Sequence, residues 1–257
     1  MELRPHSSTS TGPAAPNAHD ALDHGAPLGA QPAGSADALG ESFPSLSSFR
    51  VGSEPAVLRA IDEPTVNLVI WRRRLPPGLA PALTAWAQRP RPTVEAVLDP
   101  ARFDLAPAVE TIDDRYWRAW LLADFRVVTA GFLAIARPRR LKLSFGPVVT
   151  AQCAKFHVDW MRYRLVTTYA GPGTEWLAND QVRREVLDAP PADHVQSNRQ
   201  VQRSVAPIRR AATGDVVLMK GELHGSAARG AVHRSPPVDD PSQARVVLVL
   251  SAADAAP

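Results

Sequence analysis

Lysine, cysteine and aromatic residues are scarce in this chain of 257 residues. Only Lys142, Lys155 and Lys220 are lysines, so arginine carries almost all of the positive charge. The single cysteine, Cys153, excludes an intramolecular disulfide framework and any zinc site of the CxxC kind. Aromatics make up 6% of the chain, and the basic clusters at residues 72–74 and at Arg137, Arg139, Arg140 and Lys142 are short. That pattern reads as solvated arginine. It argues against a nucleic-acid surface, which needs a denser basic face interleaved with exposed aromatics. No GxGxxG, P-loop or GxSxG sequence occurs, so nothing supports nucleotide binding or serine hydrolysis. After Met1 the chain runs through Glu2, Arg4, Pro5 and His6 with no apolar leader. The longest apolar stretch, residues 127–136, is about half a membrane span and is bounded by Arg126 and Arg137. It predicts a core helix, no membrane partner and a cytoplasmic location.

What is present divides unevenly. The first 48 residues hold Glu2, Asp20, Asp23, Asp37 and Glu41 against Arg4 alone, which leaves +7 on the remainder of a chain whose formal net charge is +3. That segment is mostly Ala, Ser, Pro and Gly, with too little apolar surface to offset the entropy of ordering it. It predicts a disordered tail over residues 1–48, followed by one folded domain over residues 49–257.

Within the body, the run TVNLVIW at residues 65–71 reads as a strand. Residues 79–87 and 93–98 read as short helices, and residues 116–136 as a long one, with Trp117, Trp120, Leu121, Phe125 and Val128 at helical spacing. From residue 139 the pattern turns to short β segments at 141–145, 163–169, 215–220, 230–234 and 245–251, separated by glycine and proline turns. The expected fold class is α+β: a helical stretch over about residues 75–138 packed on an antiparallel jelly-roll-like β core over about residues 139–252.

The most chemically loaded segment is CAKFHVDW, residues 153–160. On extended backbone His157 and Asp159, two apart, point to the same face, as two ligands of one metal must. His194, His224 and His233 are candidates for a third ligand. Cys153 is four residues from His157 and is an alternative zinc ligand, since a thiolate favours zinc over iron. A His–Asp hydrogen bond on a strand, a structural His233 and a buried thiol remain the purely structural alternatives. His224 lies in a glycine-bounded loop, and Trp160, Tyr163 and Trp176 flank the segment.

The order HxD, turn, strand, His233, proline loop and arginine-led strand resembles the C-terminal half of the Fe(II)- and 2-oxoglutarate-dependent dioxygenases. The resemblance implies a double-stranded β-helix in which His157, Asp159 and His233 bind Fe(II), Arg245 anchors 2-oxoglutarate and Tyr169 hydrogen-bonds it. Many such enzymes carry a serine two residues after the arginine, where this chain has Val247. The blocks VNLVIWRR, CAKFHVDWMRYRLVTTYAGPGTEWL and AVHRSPP together resemble the bacterial DUF1826 family, which has no known activity. Its association with zinc-homeostasis gene neighbourhoods implies a second role, a non-oxidative Zn(II)-binding protein. The third is an interaction protein without catalysis. The substrate, a small molecule or a protein, is left open.

Overall fold

The computed structural model describes residues 47–148, 153–190, 192–203, 207–237 and 244–253. The expected tail lies outside the described residues except for Ser47 and Ser48. Ser48 is buried and accepts a hydrogen bond from the Asn179 backbone at 3.0 Å, so the ordered body begins before Phe49.

Two sheets and five α-helices make up the described part of the body. The strands are β1 (Phe49–Gly52), β2 (Leu68–Trp71), β3 (Val94–Leu98), β4 (Leu141–Val148), β5 (Tyr163–Ala170), β6 (Glu175–Leu177), β7 (Arg209–Arg210), β8 (Val216–Lys220), β9 (Val232–Arg234) and β10 (Arg245–Ala252). The helices are α1 (Leu79–Ala87), α2 (Ala106–Val109), α3 (Arg115–Ala136), α4 (Arg184–Asp188) and α5 (His194–Val201). The main sheet runs β1-β2-β8-β5-β10-β4-β3 and the small one β7-β6-β9. Only β1 and β2 pair in parallel; the other pairings are antiparallel. His157 extends the small sheet by an isolated bridge to His233. From β4 onward the chain passes back and forth between the sheets: β4, the His157 segment, β5, β6 and β7, β8, β9, β10.

Sequence explains most of these elements. The long helix α3 starts where the Asp114 carboxylate accepts from the backbone N–H groups of Tyr116 and Trp117, at 2.7 and 3.2 Å. It stops at Arg137, whose left-handed φ of 45° ends the helical ladder just before Pro138. Leu121, Phe125, Val128 and Phe132 form its buried stripe. Its length and apolar composition would also suit a membrane span; here the stripe packs on the main sheet. Leu79, Leu83 and Trp86 of α1 join it, and together they cover the outer face of that sheet. A second cluster, including Ile70, Val166, Trp176, Val217 and Val247, fills the space between the sheets. A third, around Phe156, Leu177, Val201 and Val232, packs beneath α4 and α5.

Residues 93–98 depart from the helical expectation. Val94–Leu98 is an edge strand pairing antiparallel with β4, from Val94 opposite Phe145 to Leu98 opposite Leu141. Five residues cannot separate the two periods, and β-branched Val94 and Val97 suit an edge that β4 leaves open. The division at residue 139 is therefore not a division of structure, because β1, β2 and β3 are part of the main sheet. Conversely, α4 and α5 interrupt the β region. α5 is mostly polar, and its start is marked by the Asp193 carboxylate accepting from Gln196 N–H at 2.7 Å.

The ring of Phe125 is fully buried and meets Phe145 edge-on at 4.8 Å and Tyr169 at 5.6 Å. Phe125→Ala should cost about 3–5 kcal/mol by the lost burial and the cavity left behind, measured as a lower urea midpoint with an unchanged slope.

Candidate metal centre

The site forms where the His157 segment lies against β9. His157 N–H donates to the His233 carbonyl and His233 N–H to the His157 carbonyl, both at 3.0 Å. This reciprocal pair sets the two residues side by side, with imidazole centroids 4.6 Å apart. The approach to His157 is held by Asn198 of α5, whose amide oxygen accepts from Phe156 N–H and whose amide nitrogen donates to the Ala154 carbonyl, both at 2.8 Å. Beyond His157, the turn after β8 clamps the chain, with Glu222 N–H donating to the Asp159 carbonyl at 2.9 Å. Gly221 permits this contact, because a Cβ there would run into the backbone carbonyls of Met161 and Asp159.

His157, Asp159 and His233 converge. Their candidate ligand atoms all lie within 4.8 Å of one another. His157 Nε2 is 3.6 Å from Asp159 Oδ1, and His233 Nε2 is 3.3 Å from Asp159 Oδ2. Ligand atoms at ~2.0–2.2 Å from a metal sit about 3–4 Å apart, so only a small contraction separates this arrangement from ligation. Both rings are already oriented: His157 Nδ1 faces the Lys155 carbonyl at 2.9 Å and His233 Nδ1 faces the Ala231 carbonyl at 3.1 Å. With Nδ1 protonated against a carbonyl, Nε2 is free to ligate. Asp159 Oδ2 is buried without a hydrogen-bond partner. A buried carboxylate oxygen left unpaired beside two Nε2 atoms is what a cation would satisfy. Among the described residues this is the one group of three or more His, Cys, Asp and Glu side chains placed to hold a metal.

The charged groups of the site act on one another. Burial works against a charged His157, but its bonds to Asp159, Cys153 and the Lys155 carbonyl outweigh that and push it up to about 10. Burial likewise opposes an ionised Asp159, yet His157, His233 and Arg164 hold it well below the carboxylate range. Arg164 was not singled out by the sequence, although it stands five residues after Asp159 on the same face of β5 as Val166. Its Nη1 lies 2.9 Å from Asp159 Oδ1.

A cavity of about 110 Å³ adjoins the triad, lined by Cys153, His157, Arg164, Val166, Thr174, His233, Ser235, Arg245, Val247 and Val249 among others. Arg245 is 3% exposed, and its Nε donates to the Pro172 carbonyl at 2.7 Å. Its Nη2 is 3.4 Å from Thr168 Oγ1. Burial pushes its pKa down to about 10, and no carboxylate among the described residues pairs with it. Cys153 is exposed and lines the same cavity, and the neighbouring His157 draws its thiol below the ordinary value despite partial burial. Its sulfur is not among the three converging groups.

Tyr169 is a correction. Its hydroxyl donates to Asp124 Oδ2 of α3 at 2.5 Å, and its ring is fully buried in the helix-side core. Arg73 completes the cluster by pairing with Asp124 while its guanidinium lies 5.7 Å from the Tyr169 ring centroid. Strand alternation is the reason: Tyr169 and Thr168 point to opposite faces of β5, and the cavity is on the Thr168 side. The other candidate histidines also stand apart. His194 opens α5 and lines a different cavity. His224 Nε2 pairs with the Tyr163 hydroxyl at 2.8 Å.

Two variants test this placement. Tyr169→Phe should lower stability by about 2 kcal/mol, the scale of a hydrogen bond to a charged group, and leave Zn(II) affinity within threefold of wild type in competition titrations. Gly221→Ala, by contrast, should weaken Zn(II) binding about tenfold or more, because it displaces the Asp159 backbone.

Three solved structures are distantly similar to this chain. A full-length Neurospora crassa protein in complex with alpha-KG is 11% identical, covering 77% of this chain and 78% of its own, with a TM-score of 0.37. A Pseudomonas putida prolyl-4-hydroxylase is 12% identical, covering 77% and 96%, also at 0.37. AviO1 from Streptomyces viridochromogenes is 16% identical, covering 80% and 98%, at 0.36. No curated protein matches the chain. Residues 52–251 match the family model described as protein of unknown function DUF1826, and the chain belongs to that family.

Proposed function

We propose that this DUF1826 protein is a non-haem Fe(II) oxygenase of the 2-oxoglutarate type. The observation that carries the reading is the His157–Asp159–His233 group, with Asp159 and His233 buried and His157 half-buried, both Nδ1 atoms committed to carbonyls and Asp159 Oδ2 left without a hydrogen-bond partner. Two histidines and one carboxylate on one side of a metal leave its remaining positions open, the donor set suited to non-haem Fe(II). The strand order supports the reading as well. The segments alternate between sheets as β4-β10-β5-β8 facing His157-β9-β6-β7, the winding of a double-stranded β-helix.

Each residue of the cavity then has a task. His157 and His233 offer Nε2, and Asp159 offers Oδ2. Arg245, buried and with no carboxylate partner among the described residues, receives the remote carboxylate of a 2-oxo acid. The serine that dioxygenases often carry two residues after this arginine is Val247 here, and Val247 pairs across the sheet with Thr168. The Thr168 hydroxyl, 3.4 Å from Arg245, takes the place of the missing one. Val166, Val247 and Val249 make an apolar wall that keeps water from the interior. Bound Fe(II) with a 2-oxo acid supplies oxygen activation for oxidising a substrate C–H bond. The substrate, a small molecule or a protein of the cytoplasm, reaches the cavity past Cys153 and Ser235.

A zinc-binding, non-oxidative role is the second reading, and the place of Cys153 beside His157 and His233 on the same cavity lining is the observation that favours it. A thiolate added to two histidines would favour zinc over iron.

Anaerobic titration of the purified protein with Fe(II) and with Zn(II), each with and without 2-oxoglutarate, separates the two. The oxygenase reading expects Fe(II) binding strengthened by 2-oxoglutarate, and Fe(II)-dependent succinate formation on admitting air. Arg245→Met should then weaken 2-oxoglutarate binding about tenfold or more, while metal affinity alone stays within threefold. Tight Zn(II) binding that Cys153→Ser abolishes, with no succinate formed, would establish the second reading instead.

A further inference from the structure

Among the described residues, the cavity's arginines outnumber the carboxylates paired with them. Arg164 and Arg245 both line it, and Asp159 is the only carboxylate among the described residues paired with either guanidinium. Glu175, the next buried carboxylate, is already shared between Arg210 and Arg234. Two polar atoms at the centre are buried without partners: Asp159 Oδ2 and Arg164 Nε. One is an acceptor beside two histidine nitrogens, as a cation requires. The other is a donor on a cationic group, as an anion requires.

A divalent ion on the triad would bring two further positive charges beside two arginines, against one carboxylate. In a partly buried cavity that excess is screened less than in open solvent. Arg164 also occupies Asp159 Oδ1, at 2.9 Å, so that Oδ2 is the oxygen left for the metal. Resting on the metal-centre reading, we propose that Arg164 is a positioning residue that makes metal binding and binding of a small dianion depend on each other. It fixes which carboxylate oxygen meets the ion and keeps the cavity positive until a dianion enters. By linkage, the dianion must raise metal affinity by the same factor as the metal raises affinity for the dianion. Arg245 anchors the far end of the dianion; Arg164 ties its charge to the metal.

Co(II) titration of the full-length protein, followed by visible absorption, tests this. It is run alone, with saturating succinate, a dianion without a chelating 2-oxo group, and with butyrate, its singly charged counterpart. Succinate should tighten Co(II) binding by about tenfold or more, and butyrate by less than threefold. Arg164→Lys, which keeps the charge, should retain most of the succinate effect. Arg164→Met should reduce it below threefold and alter the Co(II) absorption bands as Asp159 regains both oxygens. Arg164→Gln provides a second neutral variant, with circular dichroism reporting the fold of each. Undiminished coupling in folded Arg164→Met or Arg164→Gln overturns the proposal and leaves the metal reading standing, as does equal coupling by butyrate. A wild-type protein that binds no Co(II) under any of the three conditions overturns the metal reading and this proposal together.

Discussion

The reciprocal pair of backbone hydrogen bonds between His157 and His233 is the constraint on which the rest of the site depends. The two residues are 76 positions apart, and neither belongs to a long strand; β9 has three residues and the His157 segment is a single bridge. Without that bridge the two imidazoles would have no fixed relation. With it, each ring leaves its backbone beside the other, and the carbonyls of Lys155 and Ala231 turn the Nε2 atoms to the common side. Asn198 and the turn at Gly221 hold the two ends of the segment that carries Asp159. The triad is rigid because backbone contacts position it, which matters for groups that must meet one ion to within a fraction of an ångström.

The main sheet does opposite things on its two faces. Toward α1 and α3 it buries an aromatic and aliphatic core, together with the Arg73–Asp124–Tyr169 cluster that ties the long helix to β5. Toward the small sheet it presents Arg164, Val166 and Thr168 from the same strand, with Arg245 and Val247 from β10. Each side has its own arginine chemistry. Arg73 is paired and structural. Arg164 and Arg245 line the cavity, and Asp159 is the one carboxylate among the described residues paired with either. The same residue types appear on both faces, and strand parity separates them.

Much of the site was legible before the structure. Two residues between like-facing positions made His157 and Asp159 neighbours on extended backbone, and the strand-turn-strand order around His233 and Arg245 pointed to one shared cavity. Tyr169 failed because a single residue of parity in β5 moves a side chain to the other layer, and parity depends on which strand faces pair. Arg164 went unnoticed because one arginine among so many carries no signal until its guanidinium is seen against Asp159. Residues 93–98 were misread as helix because five residues fit either period, and the vacant edge of β4 decided between them. The helices α4 and α5 were invisible for the same reason: short, polar segments derive their order from what they pack on, not from their own pattern.

By itself, then, the sequence determined a cysteine-poor, arginine-rich body with a core helix at residues 116–136, a β-rich second part, and a short list of metal-binding side chains. Those are properties of composition and local spacing, which every residue carries with it. The tertiary structure alone decided which histidine of three completes the group, that Arg245 faces inward with no carboxylate partner among the described residues, that Tyr169 faces away, and that Cys153 lines the same cavity without joining the triad. These depend on contacts between segments tens of residues apart, where sheet register and strand parity, rather than residue type, set what meets what.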